Sequence, residues 1–363
     1  MLCSTDNVAS PSHERELLVA LLQALEEPEH AAALPPDDEA LVVVARHHRL
    51  TALLSASAGN RLPPRLAEVF RRDRLIVVAR SLLLEQVAEE CARALADAGL
   101  RVAVLKGLDY AKRLYPWPGC RPTADIDFLV PGADRRAAFR VLDRLGFEPR
   151  AAAPGFDEPD YHEVAWSRAG VEVDLHLALA PLARCRIDYR AIWAEVETVA
   201  LGDVRALALS RPHAAVFHAL HMAIDHFGVP AIYLVDLARL LPDEEDLRVV
   251  RALAESWRCH RPLETAVALA AAFLPHWRGG GTSRRTPMQE KIVAHYGSTV
   301  PLPRAQQLVR KLAHFDHLTD AFRYVLVQSR RNMREHVERW TRGRSARERL
   351  HLPRKPGAAY SSG

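Results

Sequence analysis

The segment that decides the fold is residues 124–130, ADIDFLV. Successive side chains on a β-strand point to opposite faces, so Asp125 and Asp127 share one face while Ile126 and Phe128 share the other. The rise of a strand places the two aspartate Cα atoms about 6.6 Å apart. Two carboxylates on one face of a buried strand repel each other and lose hydration unless a cation compensates them. The pattern therefore predicts a strand that holds two divalent cations about 3.5–4 Å apart, as in phosphoryl and nucleotidyl transfer.

The alternative for this segment is a strand at a solvated sheet edge, where both acids lie in water. The apolar residues Phe128, Leu129 and Val130 that follow the aspartates favour a buried strand. Because two aspartates alone do not decide between these interpretations, the neighbouring segments matter.

A second predicted strand, residues 171–177 (VEVDLHL), alternates apolar residues with Glu172, Asp174 and His176. These three polar side chains share one face. Beside the Asp125 strand in one small sheet, Asp174 would supply the third metal ligand or the base that activates an acceptor. His176 would hold a phosphate or the acceptor. An exposed amphipathic strand is the alternative.

A third segment, residues 104–107 (VLKG), precedes a predicted short helix. A strand, a glycine turn and a helix N-terminus can bind phosphate through backbone N–H groups and the helix dipole. Lys106 would add a positive charge, and Gly107 predicts a tight loop. Taken alone, a Lys-Gly pair indicates only a turn.

The pattern along the chain predicts three segments of structure. Helical spacing of apolar residues covers residues 12–98 and again residues 212 to about 342, with strand and turn patterns between them. We predict an α+β fold, with a small mixed-sheet core at 99–209 between an N-terminal helical lobe at 1–98 and a C-terminal helical lobe at 210–345.

Glycine and proline mark the turns within this layout. Two hairpins are predicted, turning near Ala169-Gly170 and near Gly202-Asp203. Gly279–Gly281 predicts a flexible link between helices. Residues 346–363, with their Pro, Gly and Ser, predict a disordered tail.

Composition limits the classes of protein that fit. The 363 residues carry 49 Lys and Arg against 45 Asp and Glu, and a net charge of +4 does not by itself indicate a nucleic-acid partner. Five cysteines without a CxxC pair predict neither a disulfide framework nor a zinc site. The sequence predicts no signal peptide and no membrane span, so we expect a cytoplasmic protein.

Taken in order, the segments LKGL at 105–108, LYPWPGCRPTADIDFLV at 114–130 and VDLH at 173–176 resemble one known family. This is the uncharacterised bacterial nucleotidyltransferase family of the DNA polymerase β-like superfamily. Residues 213–241 also resemble the C-terminal part of that family. The resemblance covers about residues 70–245.

The resemblance implies transfer of a nucleoside monophosphate from an NTP to an acceptor, with Mg²⁺ or Mn²⁺ as cofactor. Asp125 and Asp127 would carry two metal ions, and Asp174 would complete the metal site. Candidates for binding the triphosphate are Lys106, Gly107 and Arg121.

The expected acceptor is a small molecule, a peptide or a protein, and not a long nucleic acid. One alternative is a tRNA-directed or toxin-like nucleotidyltransferase, supported only by the basic residues of the segment 342–355. Another is a non-catalytic nucleotide-binding member of the fold. The retained Asp125, Asp127 and Asp174 argue against that alternative.

Two weaker signals lie near these segments. His218, His221 and Asp225 share a helix face and could bind a metal, but we interpret them as histidines of a helix packed on the core. Tyr115 and Trp117 precede the aspartates and would either stack on a nucleobase or stiffen the loop.

Overall fold

The computed structural model describes residues 11–35, 39–150, 162–181, 183–225, 227–280, 284–297 and 303–340. In these residues the strands are β1 (Ala103–Val104), β2 (Ile126–Leu129), β3 (Glu148–Pro149), β4 (Glu163–Arg168), β5 (Val171–His176), β6 (Glu197–Leu201) and β7 (Val204–Ala208). The helices before and within the sheet are α1 (Pro11–Glu26), α2 (Glu39–His47), α3 (Thr51–Ala58), α4 (Pro64–Asp97), α5 (Lys106–Arg113), α6 (Arg135–Arg144) and α7 (Tyr189–Ala194). The helices after the sheet are α8 (Arg211–Ile224), α9 (Ile232–Leu240), α10 (Glu244–Ser256), α11 (His260–Phe273), α12 (Pro287–His295), α13 (Arg304–Ala313) and α14 (Leu318–Trp340).

The strands form one mixed sheet, in the order β3-β4-β5-β2-β1-β7-β6. β2 runs parallel to β5 and β1 runs parallel to β7, while the other neighbours are antiparallel. The β2–β5 register pairs Asp127 with Asp174. All four residues of β2 are buried, which confirms the predicted buried strand. The mixed sheet, together with the helices around it, confirms the predicted α+β fold.

Both predicted hairpins are present. β4 and β5 are joined through Ala169 and Gly170, whose φ angles are 49° and 78°. β6 and β7 are joined through Gly202, with φ of 55°, and Asp203. Positive φ at such positions matches the twist of antiparallel strands in a two-residue turn.

Helices cover both faces of the sheet. On one face, α6 and the second half of α4 pack on the apolar side of β2, where Ile126 and Phe128 are fully buried. The opposite face lies against a core formed jointly by helices from the start and the end of the chain. In this core, the N–H of Ile232 donates to the carbonyl of His48 over 3.2 Å. The domain boundaries at residues 98 and 209 stay a prediction, because the helices before residue 98 and after residue 209 share one core.

The glycines at 279–280 do not form the flexible link that the sequence predicts. Gly279 and Gly280 are buried in a short 3₁₀ helix, Arg278–Gly280. A Cβ on Gly279 would lie 2.4 Å from the carbonyl oxygen of Leu241, so glycine permits a close contact between backbones. Gly281 and the predicted tail at 346–363 lie outside the described residues.

The segment after β1 also differs from its prediction. Helix α5 begins at Lys106 itself, so the expected tight loop at Lys106-Gly107 is wrong. Gly107 lies in the first turn of α5, where a Cβ would come within 2.8 Å of Thr123 Cγ2. The glycine therefore lets the segment before β2 approach the start of the helix. Across the part of the chain that the structure describes, every helix is too short or too polar to cross a bilayer.

Candidate active site

The three predicted aspartates meet on the face of the sheet that the C-terminal helices cover. Carboxylate oxygens of Asp125, Asp127 and Asp174 all lie within 4.8 Å of one another. Asp127 and Asp174 are register partners on adjacent parallel strands, and Asp125 directly precedes β2. Asp127 is 2% exposed, while the other two are half-buried.

A lysine and a histidine side chain lie against one oxygen of Asp127. Lys106 Nζ is 2.9 Å from Asp127 Oδ1, and His176 Nε2 is 3.0 Å from the same atom. The other oxygen, Oδ2, is buried and has no hydrogen-bond partner among the described residues. A buried acceptor without a partner carries a desolvation cost, and a cation bound there would remove it.

The environment of each aspartate sets its charge. Burial alone would raise the pKa of Asp127, but Lys106 and the hydrogen bond with His176 outweigh it and hold this pKa well below its usual range. Burial and the charge of Asp127 raise the pKa of Asp174 to about 7. The same two causes raise the pKa of Asp125. The charge of Lys106 and the hydrogen bond with His176 thus compensate Asp127, while the other two carboxylates lack such partners.

Glu163 is a neighbour of the site that the sequence analysis did not name. Its Oε2 lies 3.5 Å from Nδ1 of His176, so the imidazole of His176 lies between two carboxylates. Counting back from the predicted turn at Ala169-Gly170 pairs residue 163 with residue 176, as observed. The signal was therefore present in the hairpin register.

Helices α8 and α9 cover the site from the opposite side. The ring of Phe217 lies edge-on to His176, with centroids 6.1 Å apart, and His221 stacks on Tyr233 at 5.7 Å. Burial and then the charge of Lys106 hold the pKa of His221 well below its usual value. The imidazole of His221 is therefore neutral beside the carboxylates.

Arg121 contacts a different partner from the one the resemblance implies. Its guanidinium is 3% exposed and binds the carboxylate of Asp236, with Nη2–Oδ2 at 2.8 Å and Nε–Oδ2 at 3.1 Å. Tyr115 donates to the other oxygen of Asp236 over 2.7 Å. These contacts fix the segment before β2 to α9, and they occupy the guanidinium of Arg121 with the carboxylate of Asp236.

Tyr115 is buried by the same contacts, so the idea that it stacks on a nucleobase is not supported. Trp117 is 45% exposed and remains accessible to a ligand.

The alternative metal set on α8 does not converge in the described residues. His218 Nε2 bonds the carbonyl of Tyr233 over 2.9 Å, and His221 Nε2 lies 3.6 Å from Asp225. Among the described residues, the groups with convergent metal-ligand atoms are the aspartate triad and the exposed set Glu27, Glu29 and His30. These contacts favour histidines that pack α8 on the core.

A large cavity lies elsewhere, and its lining does not include the aspartates. Its volume is about 860 Å³ and it is lined mainly by α11 and α12, with Arg261, Arg284 and Arg285 among the lining residues. We place the chemistry at the triad because reacting groups converge there, whereas volume alone specifies no reaction.

The donor set of the triad fits a hard divalent cation. Each aspartate offers carboxylate oxygen, which Mg²⁺ and Mn²⁺ prefer, and no thiolate contributes to the set. The unpartnered Oδ2 of Asp127 and the raised pKa of Asp174 both identify a place where positive charge is missing.

A mixed sheet with three convergent carboxylates, and a lysine at the start of the adjoining helix, is the arrangement expected of a nucleotidyltransferase. The chain belongs to the family described as uncharacterised nucleotidyltransferase, whose family model matches residues 35–275, more than half of the chain. The family resemblance predicted from the motifs is confirmed. A search of curated proteins found no match.

Two solved structures are similar to part of this chain. One is the crystal structure of ANT(2")-Ia in complex with adenylyl-2"-tobramycin, at 15% identity, covering 47% of this chain and 97% of that chain, with a TM-score of 0.34. Another is an antigenic nucleotidyltransferase-like protein from Paracoccidioides brasiliensis, at 15% identity, covering 47% of this chain and 87% of that chain, with a TM-score of 0.30. Scores this low add nothing to the family assignment.

Proposed function

We propose that this chain transfers a nucleoside monophosphate from an NTP to a small-molecule, peptide or protein acceptor. Two Mg²⁺ or Mn²⁺ ions held by Asp125, Asp127 and Asp174 would serve as cofactor. The observation that carries the proposal is the convergence of these three carboxylates within 4.8 Å. Bound divalent ions would neutralise phosphate charge and make the acceptor a stronger nucleophile.

The residues around the triad would bind and orient the NTP. Lys106 lies at the first position of α5, where its ammonium group and the free N–H groups of the first turn can face a phosphate. In the absence of ions, its contact with Asp127 supplies part of the missing positive charge. His176 holds Asp127 in place by their hydrogen bond, so that Oδ2 keeps a fixed position.

The covering helices would form the acceptor side of the site. Glu163 and Asp225 both place a carboxyl group near this side, and the charge of Glu163 acts on Asp225. Negative charge there disfavours an acceptor rich in phosphates and favours a neutral or cationic one. We therefore expect a compact ligand between the sheet and the C-terminal helices.

Transfer of a label from NTP tests the proposal. The purified chain is incubated with Mg²⁺, lysate fractions of small molecules, peptides or proteins, and each NTP labelled at either the α or the γ phosphate. We expect the α label to enter an acceptor and the γ label to leave as pyrophosphate, and we expect neither with Asp125→Asn/Asp127→Asn. Transfer of the γ label to an acceptor would instead indicate a phosphotransferase. If no label moves from any NTP, the non-catalytic alternative is supported.

A further inference from the structure

Two cysteines distant in sequence meet away from the aspartate triad. Cys185 lies between β5 and α7, and Cys259 directly precedes α11. Their side chains are in hydrogen-bond contact. The segments that carry them are joined by a backbone hydrogen bond of 2.8 Å, from the N–H of Arg186 to the carbonyl of Trp257.

An arginine lies beside this pair, and the described residues offer it no counter-charge. Arg184 is 3% exposed, and none of its three side-chain nitrogens has a hydrogen-bond partner in the described part of the chain. Its guanidinium lies over the ring of Phe315, with 5.3 Å to the centroid. A buried cation without a partner is costly, and a neighbouring anion would relieve that cost.

The ionisable groups that act on Arg184 are Cys185, Tyr324 and Cys259. A thiolate beside a guanidinium is a reactive nucleophile.

The two thiols differ in a way that assigns their roles. Cys185 is half-buried and can be reached from solvent, whereas Cys259 is 1% exposed. The hydrogen bond with Cys185, and then burial, raise the pKa of Cys259 far above its usual value, and the nearby Asp316 acts in the same direction. Cys259 therefore stays protonated and donates its S–H to Cys185.

Backbone strain marks the same place. Ala183 has a φ of 66° and Arg258 a φ of 56°, although neither is a glycine. One lies two residues before Cys185 and the other directly before Cys259. At Arg258 the left-handed conformation closes the C-terminus of α10, where the N–H groups of Arg258 and Cys259 donate to the carbonyls of Glu255 and Ala254, so the strained position is Ala183.

We propose that Cys185 and Cys259 are a redox pair that forms a reversible disulfide when the protein meets a hydroperoxide. The Cys185 thiolate attacks the peroxide O–O bond, giving a sulfenic acid, and the leaving oxygen takes a proton to become water or an alcohol. The Cys259 thiol then attacks the sulfenic sulfur, and the departing hydroxide takes the Cys259 proton to form water. The two thiols lose two electrons, which reduce the O–O bond. The bond links the segment after β5 to the start of α11.

Peptide mapping after controlled oxidation tests this assignment. The reduced full chain is treated with hydrogen peroxide, alkylated with iodoacetamide and digested without reductant. We expect a peptide pair joined through Cys185 and Cys259, which disappears after treatment with dithiothreitol. The variants Cys91→Ser and Cys120→Ser serve as matched controls, because both residues are buried cysteines elsewhere in the fold, and they should give the same cross-link.

A second measurement separates the roles of the two thiols. In Cys259→Ser the sulfenic acid at Cys185 cannot be resolved, so dimedone should label Cys185 about 10-fold more than in the wild type. Circular dichroism checks that Cys259→Ser folds. The peptide mapping uses the wild type, so it tests the disulfide even if this variant does not fold. The proposal is overturned if peroxide oxidises Cys91 or Cys120 while Cys185 and Cys259 both stay alkylatable. It is also overturned if dimedone labels Cys185 equally in both proteins. Neither readout depends on nucleotidyl transfer.

Discussion

Asp174 and Asp127 are register partners on adjacent strands, yet their charges differ because only Asp127 contacts Lys106 and His176. Changing Asp174 to Asn removes its charge with little change of volume. We expect turnover to fall about 100-fold with a much smaller change in NTP affinity, since a group that acts mainly in the transition state affects kcat more than ground-state binding.

Steady-state kinetics and NTP titration of Asp174→Asn measure this split. The matched control is Glu172→Gln, two residues earlier on the same face of β5, where the side chain pairs with Arg150. The control should keep wild-type turnover. Normal turnover in Asp174→Asn would leave Asp174 as a strand acid without a catalytic role.

The alternation of polar and apolar residues along the strands predicted part of this site. It could not predict contacts between residues that are distant in sequence. The faces of Asp125, Asp127 and Asp174 follow from a two-residue period that sequence shows directly. Triphosphate binding by Arg121 stays a prediction, and its contact with Asp236 was missed because a sequence does not show that a residue 115 positions away lies against it. The guanidinium of Arg121 and the carboxylate of Asp236 bind each other where both are buried. The sequence motif around Arg121 does not show this contact.

At the scale of elements, the Arg121–Asp236 pair fixes the segment before β2 to helix α9. Both side chains are buried, with 3% and 0% of their surface exposed. Arg121→Met should lower the free energy of unfolding by about 3–5 kcal/mol, because it leaves a buried carboxylate without its cation. Chemical denaturation measures the change.

The double variant Arg121→Met/Asp236→Asn tests the reason for that loss. It removes both charges and keeps an acceptor for the hydroxyl of Tyr115, so most of the lost stability should return. A double variant less stable than Arg121→Met would show that the pair does not act through its charge.

His48 joins the helices of the N-terminal segment to the start of α9. Its Nδ1 accepts from the N–H of Ala231 over 3.1 Å, so that nitrogen carries no proton. Burial, and then the charge of His47, lower the pKa of His48 from 6.5 to about 3. Between these values the unfolded chain binds the extra proton and the folded chain does not, so stability is full above pH 6.5 and is lost as the pH falls.

One pKa unit corresponds to about 1.36 kcal/mol, so His48 should cost about 2 kcal/mol of stability between pH 7 and pH 5. His48→Asn keeps an acceptor near Nδ1 and cannot be protonated. The difference in unfolding free energy between the wild type and this variant should therefore shift by that amount as the pH falls. His317→Asn, at an exposed position, should follow the wild-type curve. If wild type and His48→Asn give parallel pH curves, His48 is protonated in the fold.

In the whole molecule, the sequence predicted the helices, strands and hairpins better than the way in which they pack together. The hairpins and the mixed sheet follow from local turn and alternation signals. The joint core of the first and last helices does not, because helical periodicity shows which face is apolar but not which distant helix covers it. Gly279 illustrates this limit. The glycine permits a close contact with the backbone of Leu241 and does not form a hinge.

The balance of charge in the whole chain argues against a polynucleotide acceptor. With 49 basic and 45 acidic residues, and acids around the site, we expect weak binding of tRNA by a chain that ends at residue 345. Polynucleotide binding that neutralises many phosphates weakens steeply with salt. Tight binding with a steep salt dependence, measured by filter binding across a salt series, would favour the tRNA-directed alternative.

The proposed function requires that Asp125 and Asp127 hold the cations that bind the NTP. The most direct measurement is calorimetric titration of Mg·NTP into the wild type and into Asp125→Asn/Asp127→Asn, with folding checked by circular dichroism. The control Asp97→Asn/Asp203→Asn removes the same charge from exposed positions. We expect the active-site variant to lose at least about 100-fold in affinity, because neutral amides bind divalent cations far more weakly than carboxylates. The control should bind as the wild type does. A folded active-site variant that binds Mg·NTP with wild-type affinity would show that these aspartates do not hold the cations.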